Sequence, residues 1–287
     1  MMGPKESLDR ARDHVRQKLK EAAATFSAEG IPLPALDGKV LRPLTAYLMV
    51  SKELRPELDQ RFWWGALAVE MVHEASLLHD DILDEALQRR GKPTLAATAG
   101  VGPALVTGDH LLTAAYRAAA ATESPEFLQT FIRSVERTVA GEIAQEKSQG
   151  RILEEPEYVR IVTGKSGELF RSSFTLPPAL LGIASPRASG DLGARFGALY
   201  QMVDDFLDYC TEADRGKAPL QDYRQGKWTW PLNLIEITDF DAPCTEIRAR
   251  LFKPDPDQGQ APMEAGVRRM VTEFSLLIQD LAEEGFE

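Results

Sequence analysis

Apolar residues recur at helical spacing along most of this 287-residue chain, and this periodicity constrains its fold more than any other feature. We find no sustained alternation of apolar and polar residues and no Asn-Gly turn of the kind that joins paired strands. The helical pattern occupies six stretches: residues 7–26, 61–88, 104–122, 126–150, 156–184 and 188–213. The sequence therefore predicts an all-α fold.

The breaks between these stretches are short runs of glycine, proline and serine, such as Gly91–Pro93 and Gly100–Pro103. Breaks of this length are typical of loops inside a domain and are too short for linkers between domains. We therefore predict one domain covering residues 1–287.

The composition is that of a globular protein, with 44% hydrophobic residues, 33 Lys and Arg against 44 Asp and Glu, and a net charge of −11. This balance argues against disorder, a collagen-like fold and nucleic-acid coating. Cys210 and Cys244 are too few for a disulfide framework, which favours a reducing compartment. The charged N-terminus and the absence of an apolar run of about 18 residues lead us to expect a soluble, cytoplasmic protein.

Two short acidic motifs each follow an apolar helical stretch: His79-Asp80-Asp81-Ile82-Leu83-Asp84-Glu85 and Asp204-Asp205-Phe206-Leu207-Asp208. Within each motif two aspartates are four residues apart, on one helix face, where like charges repel. Aspartate also disfavours the C-terminal end of a helix, so a bound cation should compensate both motifs. Carboxylate oxygens without cysteine ligands suit Mg²⁺, which commonly bridges carboxylates to substrate phosphates.

Other readings of these motifs are weaker. One DDxxD could be a solvated acidic surface, but two copies embedded in apolar helices are hard to explain in that way. An EF-hand is a poor alternative, because the glycine and the glutamate that its calcium loop requires are missing here. A metal phosphohydrolase built on His79-Asp80 would need further histidines, and the chain offers only His14, His73 and His110.

Basic residues lie near both motifs in the sequence. Arg89 and Arg90 precede a Gly91 turn, while Lys39 and Arg42 open an earlier helix. Further lysines occur in glycine-containing segments, at Lys165, Lys217 and Lys227. Each lysine alone is best explained as a surface residue, but together with the acidic pairs they indicate a diphosphate held between Mg²⁺ and cationic side chains.

In order along the chain, these segments resemble the motifs of the trans-polyprenyl diphosphate synthases: GKVLRP, VHEASLLHDDILDEALQRRGKPT, GDHLL, GEIAQ, GKSGELF, YQMVDDFLD and GKAPLQDYRQGKWTWPL. The resemblance runs from about Gly38 to Pro231. It implies a helical bundle around a deep central cavity, with the two acidic motifs facing each other across the mouth.

The resemblance also implies a reaction and a role for each matching residue. Family enzymes ionise an allylic diphosphate with Mg²⁺, three ions with substrate bound, and join it to isopentenyl diphosphate. The implied direct metal ligands are Asp80, Asp84 and Asp204, and the residues that ligate or hold metal-bound waters are Asp81, Asp205 and Asp208. The implied allylic diphosphate contacts are Arg89, Lys165, Lys217 and Lys227, and those to isopentenyl diphosphate are Lys39, Arg42, His73 and Arg90. Ser166 and Gln201 would border the reacting carbons.

This sequence departs from the family pattern at a few positions. Val40 replaces a residue that is more often basic or polar, which bears on isopentenyl diphosphate affinity. Trp228 and Trp230 flank Thr229, where smaller residues are usual. Gln145 of the GEIAQ segment has too little support to be assigned a catalytic role.

Two rival functions remain open at this stage. A class I terpene cyclase shares the first acidic motif, but it usually carries an Asn/Ser/Glu metal motif second and needs no isopentenyl site. A non-catalytic subunit of a heteromeric synthase typically lacks part of these motifs. We expect a homodimer in the manner of the family, with the small-residue stretch 104–122 as a candidate contact face.

Product length depends on how deep the cavity runs below the first motif. The residues expected to line it are small, at Ala75, Ser76, Val72 and Ala68, and the first large residue is Trp64. Twelve residues from Ser76 to Trp64 correspond to about 18 Å of helix. We therefore expect a product of at least twenty carbons. Farnesyl diphosphate is the alternative if a neighbouring helix, with Tyr116 as one contributor, forms the floor.

Overall fold

The computed structural model describes residues 4–26, 36, 38–89, 91–182, 186–210, 220–235, 237, 240–254 and 259–283. Helices dominate this part of the chain, and the predicted all-α fold is confirmed. They are α1 Pro4–Phe26, α2 Leu41–Leu48, α3 Gln60–Leu83, α4 Leu95–Ala99, α5 Val101–Ala121, α6 Pro125–Lys147, α7 Glu155–Val162, α8 Glu168–Leu181, α9 Pro186–Asp208, α10 Gln221–Arg224, α11 Cys244–Phe252 and α12 Pro262–Glu283.

Four of the predicted helical stretches differ from the structure. Those at 126–150 and 188–213 give helices that end earlier, at Lys147 and Asp208, and two others change in character. The stretch 61–88 ends at Leu83, and an antiparallel ribbon follows, in which β1 Gln88–Arg89 pairs with β2 Lys92–Pro93. Gly91 supplies the positive φ of 73° that its turn requires. The stretch 156–184 divides into α7, a π-helical turn Thr163–Gly167 and α8, because Gly164 and Gly167 weaken regular helix there.

The chain divides into two compact units. Unit 1 comprises Met1–Val135, Ser172–Gly190 and Phe286–Glu287, and unit 2 comprises Glu136–Arg171 and Asp191–Gly285. The division passes within α6, α8 and α9. None of the described helices is long and apolar enough to cross a membrane.

Unit 1 is built around α3, which is buried on nearly every side from Phe62 to Val72. A helix that is apolar all round belongs in a core, and α1, α2 and α5 pack on this one. Asp59 caps its N-terminus, accepting hydrogen bonds from the backbone N–H groups of Arg61 and Phe62 at 2.9 and 3.4 Å. The cap and the buried centre together set the start and direction of the helix that ends at the first acidic motif.

Unit 2 places the π-helical turn against α9 by means of glycines. A Cβ on Gly167 would lie 2.5 Å from the Ala194 carbonyl oxygen, and one on Gly197 would lie 2.7 Å from the Gly167 Cα. In the same unit, a Cβ on Gly266 of α12 would lie 3.1 Å from the Trp230 ring, which is fully buried. Trp230 therefore packs in the core of unit 2, and Trp228 donates from its indole N–H to Asn233 Oδ1 at 2.5 Å.

Candidate active site

The first acidic motif occupies the last turn of α3. Asp84 is the C-cap residue, and its backbone N–H donates to the Asp80 carbonyl at 2.8 Å. Asp80 and Asp84 are half-buried, whereas Asp81 is only 5% exposed. Asp80 and Asp84 are therefore partly accessible at the helix end, whereas Asp81 is enclosed by the protein.

Asp81 is held by an arginine from the ribbon. Its Oδ1 accepts a hydrogen bond from Arg89 Nε at 2.7 Å, in a charge-assisted pair. This bond uses the Nε of Arg89, and the two Nη groups are separate donors. The structure thus places Arg89, predicted to contact the allylic diphosphate, directly beside the first motif.

The GDHLL segment lies beside His79, the first residue of the first motif. Gly108 of α5 leaves space that the His79 imidazole occupies, since a Cβ there would lie 2.2 Å from His79 Nε2. His79 Nε2 also lies 3.6 Å from Asp109 Oδ1. The GDHLL segment therefore contacts the start of the first motif through Gly108 and Asp109.

Three of the residues predicted to bind isopentenyl diphosphate lie in unit 1, with Lys39 exposed and Arg42 and His73 half-buried. Arg16 of α1 donates from Nη2 to the Gly38 carbonyl at 3.2 Å and so anchors the segment that precedes α2. Val40 is buried and left-handed, with φ 43° and ψ 40°, an unusual conformation for a β-branched residue. Val40 is thus a core residue, although Lys39 and Arg42 lie on either side of it in the sequence. Its burial accounts for the absence of a basic side chain at this position.

The residues predicted to set product length occupy different environments on α3. Val72 and Ala75 are buried, and Ser76, half-buried, donates from Oγ to the His73 carbonyl at 2.8 Å. Trp64 meets the Phe26 ring of α1 edge-on, at a centroid distance of 6.1 Å. Its role as the cavity floor stays a prediction.

The second acidic motif occupies the end of α9 in unit 2. Asp204 is exposed, whereas Asp205 and Asp208 are buried. Asp208 Oδ2 accepts from the Asp222 backbone N–H at 3.1 Å, and its carbonyl accepts from the Leu220 backbone N–H at 2.7 Å. Asp208 therefore holds the start of α10, and Asp204 is the member of the motif that is open to a ligand.

Both carboxylate oxygens of Asp205 are occupied. Oδ2 accepts from the Tyr158 hydroxyl at 2.6 Å, and Oδ1 accepts from Gln201 Nε2 at 2.7 Å. Gln201 Oε1 in turn accepts from Ser166 Oγ at 2.8 Å. Burial, together with the nearby Asp222 carboxylate, raises the pKa of Asp205 to about 7. Asp205 therefore lies at the centre of a buried hydrogen-bonded chain that includes both residues predicted to border the reacting carbons.

Lys165 lies on the π-helical turn, where its position depends on close backbone packing. A Cβ on Gly141 of α6 would lie 2.3 Å from the Lys165 backbone nitrogen. Lys165 Nζ pairs with Glu142, the next residue of α6, at 2.9 Å to Oε1 and 2.7 Å to Oε2. The GEIAQ segment therefore places both the backbone and the ammonium group of Lys165.

Lys227 is buried in unit 2, and its backbone N–H donates to the Asp222 carbonyl at 2.9 Å. Burial and the neighbouring Asp208 raise the pKa of Asp222 to about 6, while Lys227 and Lys165 act in the opposite direction. Asp222 is thus a buried acid among the predicted diphosphate lysines.

Sequence reasoning missed three residues of this site: Tyr158, Glu142 and Asp222. Glu142 and Asp222 lie inside motifs that had been recognised, GEIAQ and the GKAPLQDYRQGK loop, so their positions were a usable signal. Tyr158 precedes Lys165 by seven residues in an apolar helix, and nothing in the sequence distinguishes it from a core aromatic residue. Two predicted residues, Arg90 and Lys217, lie outside the described residues.

The donor groups fit a hard divalent cation. The accessible acids of both motifs are carboxylates, the oxygen ligands that Mg²⁺ prefers. Among the residues that the structure describes, no three His, Cys, Asp or Glu side chains come together as a metal-binding group. A metal held by these aspartates would therefore need further ligands, and substrate phosphates are suitable ones.

The comparisons with known proteins agree with this geometry. Residues 32–243 match the model of the polyprenyl synthetase family. The chain is 31% identical over 248 residues to a nonaprenyl diphosphate synthase of Mycobacterium tuberculosis, covering 85% of this chain and 73% of that protein. It is 32% identical to a geranylgeranyl diphosphate synthase of Sulfolobus acidocaldarius, covering 67% of this chain and 61% of that one.

A solved structure gives the same result for the fold. A polyprenyl synthase from Caulobacter crescentus, complexed with calcium and isoprenyl diphosphate, superposes with a TM-score of 0.78 at 25% identity, covering 96% of this chain and 92% of that one. The predicted family resemblance, and with it the predicted enzyme class of trans-polyprenyl diphosphate synthase, is confirmed. Because both acidic motifs are in place and the family model matches residues 32–243, most of the chain, the chain belongs to the polyprenyl synthetase family.

Proposed function

We propose that this protein is a Mg²⁺-dependent prenyltransferase that condenses isopentenyl diphosphate with an allylic diphosphate to a trans product of twenty carbons or more. The observation that carries the proposal is the completeness of both acidic motifs. Each ends a long helix, α3 or α9, and each has cationic residues in its own unit: Arg89 in one, Lys165 and Lys227 in the other.

The diphosphate groups would be bound by these cations and by the acidic residues through Mg²⁺. Asp80, Asp84 and Asp204 would hold the metal, three ions in the full complex, which supplies positive charge for the departing diphosphate. Arg89, Lys165, Lys217 and Lys227 would contact the allylic diphosphate. Lys39, Arg42, His73 and Arg90 would hold isopentenyl diphosphate.

In the reaction, the C1–O bond of the allylic diphosphate breaks and inorganic diphosphate leaves with the bonding electrons. The C4 carbon of isopentenyl diphosphate then bonds to the allylic C1, and loss of a proton from its C2 restores a double bond. Ser166 and Gln201 would border the reacting carbons, where oxygen dipoles stabilise positive charge. The small buried side chains of α3 would keep water from the cation.

The test is turnover of the purified full chain with Mg²⁺, labelled isopentenyl diphosphate and dimethylallyl, geranyl or farnesyl diphosphate. We expect elongation of at least one primer, and loss of turnover in chelator. Cyclic hydrocarbon released from an allylic substrate alone would instead identify a terpene cyclase. Inactivity with every primer would favour the non-catalytic subunit of a heteromeric synthase. One relative, 29% identical, is named as a component of a synthase, heptaprenyl diphosphate synthase component 2 of Geobacillus stearothermophilus.

Product length is proposed from the small side chains on α3 and from the names of the relatives, which include nonaprenyl and geranylgeranyl diphosphate synthases. A farnesyl product is not favoured. Ser76→Phe should shorten the product, because an aromatic ring one turn below Asp80 blocks the path of the tail. Chromatography after reaction with farnesyl diphosphate as primer checks this: wild type must extend the primer, and Ser76→Phe must stop sooner. Accumulation of farnesyl diphosphate by wild type would contradict the cavity argument.

We further propose a homodimer. Large apolar side chains remain exposed on α5 of unit 1, at Val101, Leu105, Val106 and Tyr116. Unit 2 exposes Val139 and Ile143, one helical turn apart on α6. Light scattering at micromolar concentration should give twice the monomer mass, and a monomeric mass would contradict the proposal.

The single domain and the cytoplasmic location stay predictions. One cooperative calorimetric transition would support the single domain.

A further inference from the structure

The structure assigns a role to Tyr158, a residue that no motif identified. We propose that Tyr158 is a positioning residue that holds the Asp205 carboxylate against Gln201. The hydrogen bonds from Asp205 through Gln201 to Ser166 then keep one direction, and Ser166 meets the substrate as an acceptor. The inference rests on the proposed function, because it concerns the charge that develops on the allylic carbon.

The series of hydrogen bonds begins at the Tyr158 hydroxyl. This hydroxyl donates its one hydrogen to Asp205 Oδ2, 2.6 Å away. Tyr158 is 2% exposed, and no solvent competes for this bond. The tyrosine therefore presents a fixed donor to one side of the Asp205 carboxylate.

The carboxylate passes this direction to Gln201. Both oxygens of Asp205 accept hydrogen bonds, and the NH₂ end of Gln201 faces Oδ1, 2.7 Å away. The carbonyl end, Oε1, must then face Ser166. The orientation of the amide thus follows from the acid beside it.

Ser166 is the last member of this series of hydrogen bonds. Its hydroxyl has one hydrogen, which it donates to Gln201 Oε1 at 2.8 Å. Its lone pairs are then left to face other groups. If the amide were reversed, Ser166 would accept from Gln201 and direct its own hydrogen outward, toward developing positive charge. A lone pair stabilises that charge and a hydrogen opposes it, so the direction of the chain matters for the ionisation step.

Tyr158 hydrogen-bonds Asp205 in this arrangement, and it acts on Gln201 and Ser166 through that carboxylate. Removing its hydroxyl leaves Asp205 with one donor and no fixed partner on Oδ2. The carboxylate can then turn away from Gln201, and Gln201 and Ser166 lose the fixed acceptor that holds their orientation. Loss of such an outer hydrogen bond typically costs about 10–100-fold in activity.

The experiment is a double-mutant cycle of Tyr158→Phe and Ser166→Ala in the full chain, at pH 8 with saturating Mg²⁺. We expect Tyr158→Phe to lower kcat by about 10–100-fold, with both KM values within about twofold of wild type. In the Ser166→Ala background the same change should lower kcat by less than about threefold, since its target is gone. Binding of an unreactive thio analogue of farnesyl diphosphate should be unchanged in Tyr158→Phe.

The matched control is Tyr223→Phe. Tyr223 is also buried in unit 2, and its hydroxyl donates to the Ala242 carbonyl at 2.9 Å, away from Asp205 and Ser166. Its loss should leave kcat unchanged. An unaltered kcat in Tyr158→Phe, or a full loss repeated in the Ser166→Ala background, would overturn the proposal. Absence of turnover in wild type would instead overturn the proposed function.

A second pair of variants covers the case in which Tyr158→Phe does not fold. Asp205→Asn alone should reverse the hydrogen bonds, because the Tyr158 hydroxyl donates to the amide oxygen and the NH₂ group then faces Gln201, so kcat should fall. Adding Gln201→Glu restores the direction, because Ser166 and Asn at 205 would both donate to the new carboxylate. We expect the pair to exceed Asp205→Asn alone in kcat by about fivefold or more. An equal or lower kcat would refute the role of direction.

Discussion

At the scale of single residues, aspartates of one motif differ in what they contact. Asp81 and Asp205, the second acid of each motif, are buried and hydrogen-bonded by Arg89 and by Tyr158 and Gln201. Asp80 and Asp204 are the more accessible first acids. The i, i+4 spacing of Asp80 with Asp84 and of Asp204 with Asp208 identified both motifs in the sequence. Spacing alone does not distinguish an acid that binds a ligand from one that positions its neighbours.

Replacing Asp80 with alanine tests the assignment of the accessible acids. Turnover should fall by more than about 100-fold, because a metal ligand is lost. The free energy of unfolding should stay within a few tenths of a kcal/mol of wild type or rise slightly, because a like-charge pair with Asp84 is removed. Steady-state kinetics and urea unfolding measure both. Asp9→Ala on α1 should keep full turnover, and an active or unfolded Asp80→Ala would contradict the assignment.

At the scale of elements, helix ends and close helix contacts determine where the functional residues lie. Asp59 begins α3, whose last turn carries the first motif, and Gly141 allows the π-helical turn with Lys165 to approach α6. Neither residue is predicted to contact metal or substrate, but each sets the position of an element whose residues are predicted to do so.

The Asp59 cap should contribute pH-dependent stability. Partial burial acts to raise the pKa of Asp59, but hydrogen bonds from Arg61 and the Phe62 backbone hold it below the usual 3.8. A lowered pKa in the folded state means that the stabilisation is present above pH 3.8 and is lost as the pH falls through the folded-state value. Asp59→Ala should therefore lower the free energy of unfolding by about 1 kcal/mol at pH 7, and by less in acid.

Urea unfolding of wild type, Asp59→Ala and Asp59→Asn at pH 7 and near pH 3.5 measures this effect. Asn keeps a capping oxygen without a charge, so its stability difference from Asp59→Ala should not change with pH. A difference between wild type and Asp59→Ala that is the same at both pH values would be inconsistent with the ionised cap.

Gly141→Ala should destabilise unit 2 and lower turnover. The added Cβ would meet the backbone of Lys165 at 2.3 Å and of Gly164 at 2.7 Å, and backbone atoms cannot move aside as a side chain would. We expect a loss of about 1–3 kcal/mol of stability. Gly102→Ala on α5 is the control, since nothing lies within 4 Å of its Cβ and stability should rise by up to about 1 kcal/mol. Equal effects of the two variants on melting temperature and turnover would disprove the packing argument.

At the scale of the whole molecule, the described residues hold accessible acids but no gathered group of three metal ligands. Metal and diphosphate should therefore stabilise the fold mainly when both are present, because each supplies contacts that complete the other's site. Mg²⁺ with an unreactive thio analogue of farnesyl diphosphate should raise the melting temperature well above the value with Mg²⁺ alone. Differential scanning fluorimetry with Ca²⁺ and chelator controls measures this, and equal shifts would indicate a preformed metal site.

The sequence alone was sufficient for the all-α class, the two acidic motifs and the family. These depend on local information: apolar periodicity, spacing along a helix and the order of motifs. It also anticipated that Ser166 and Gln201 share a site, through the resemblance. Helix boundaries were less accurate, because the break at Leu83 and the π-helical turn depend on how adjacent segments pack.

Only the tertiary structure decided which residues support the acidic motifs. Tyr158 is 47 residues from Asp205 and Glu142 is 23 residues from Lys165, so no local pattern pairs them. It also placed Trp230 in the core, together with Val40, whose departure from the family pattern had been related to isopentenyl diphosphate affinity. The physical reason is that burial and hydrogen-bond direction arise from neighbours distant in the chain, whereas periodicity and charge spacing are properties of the chain itself.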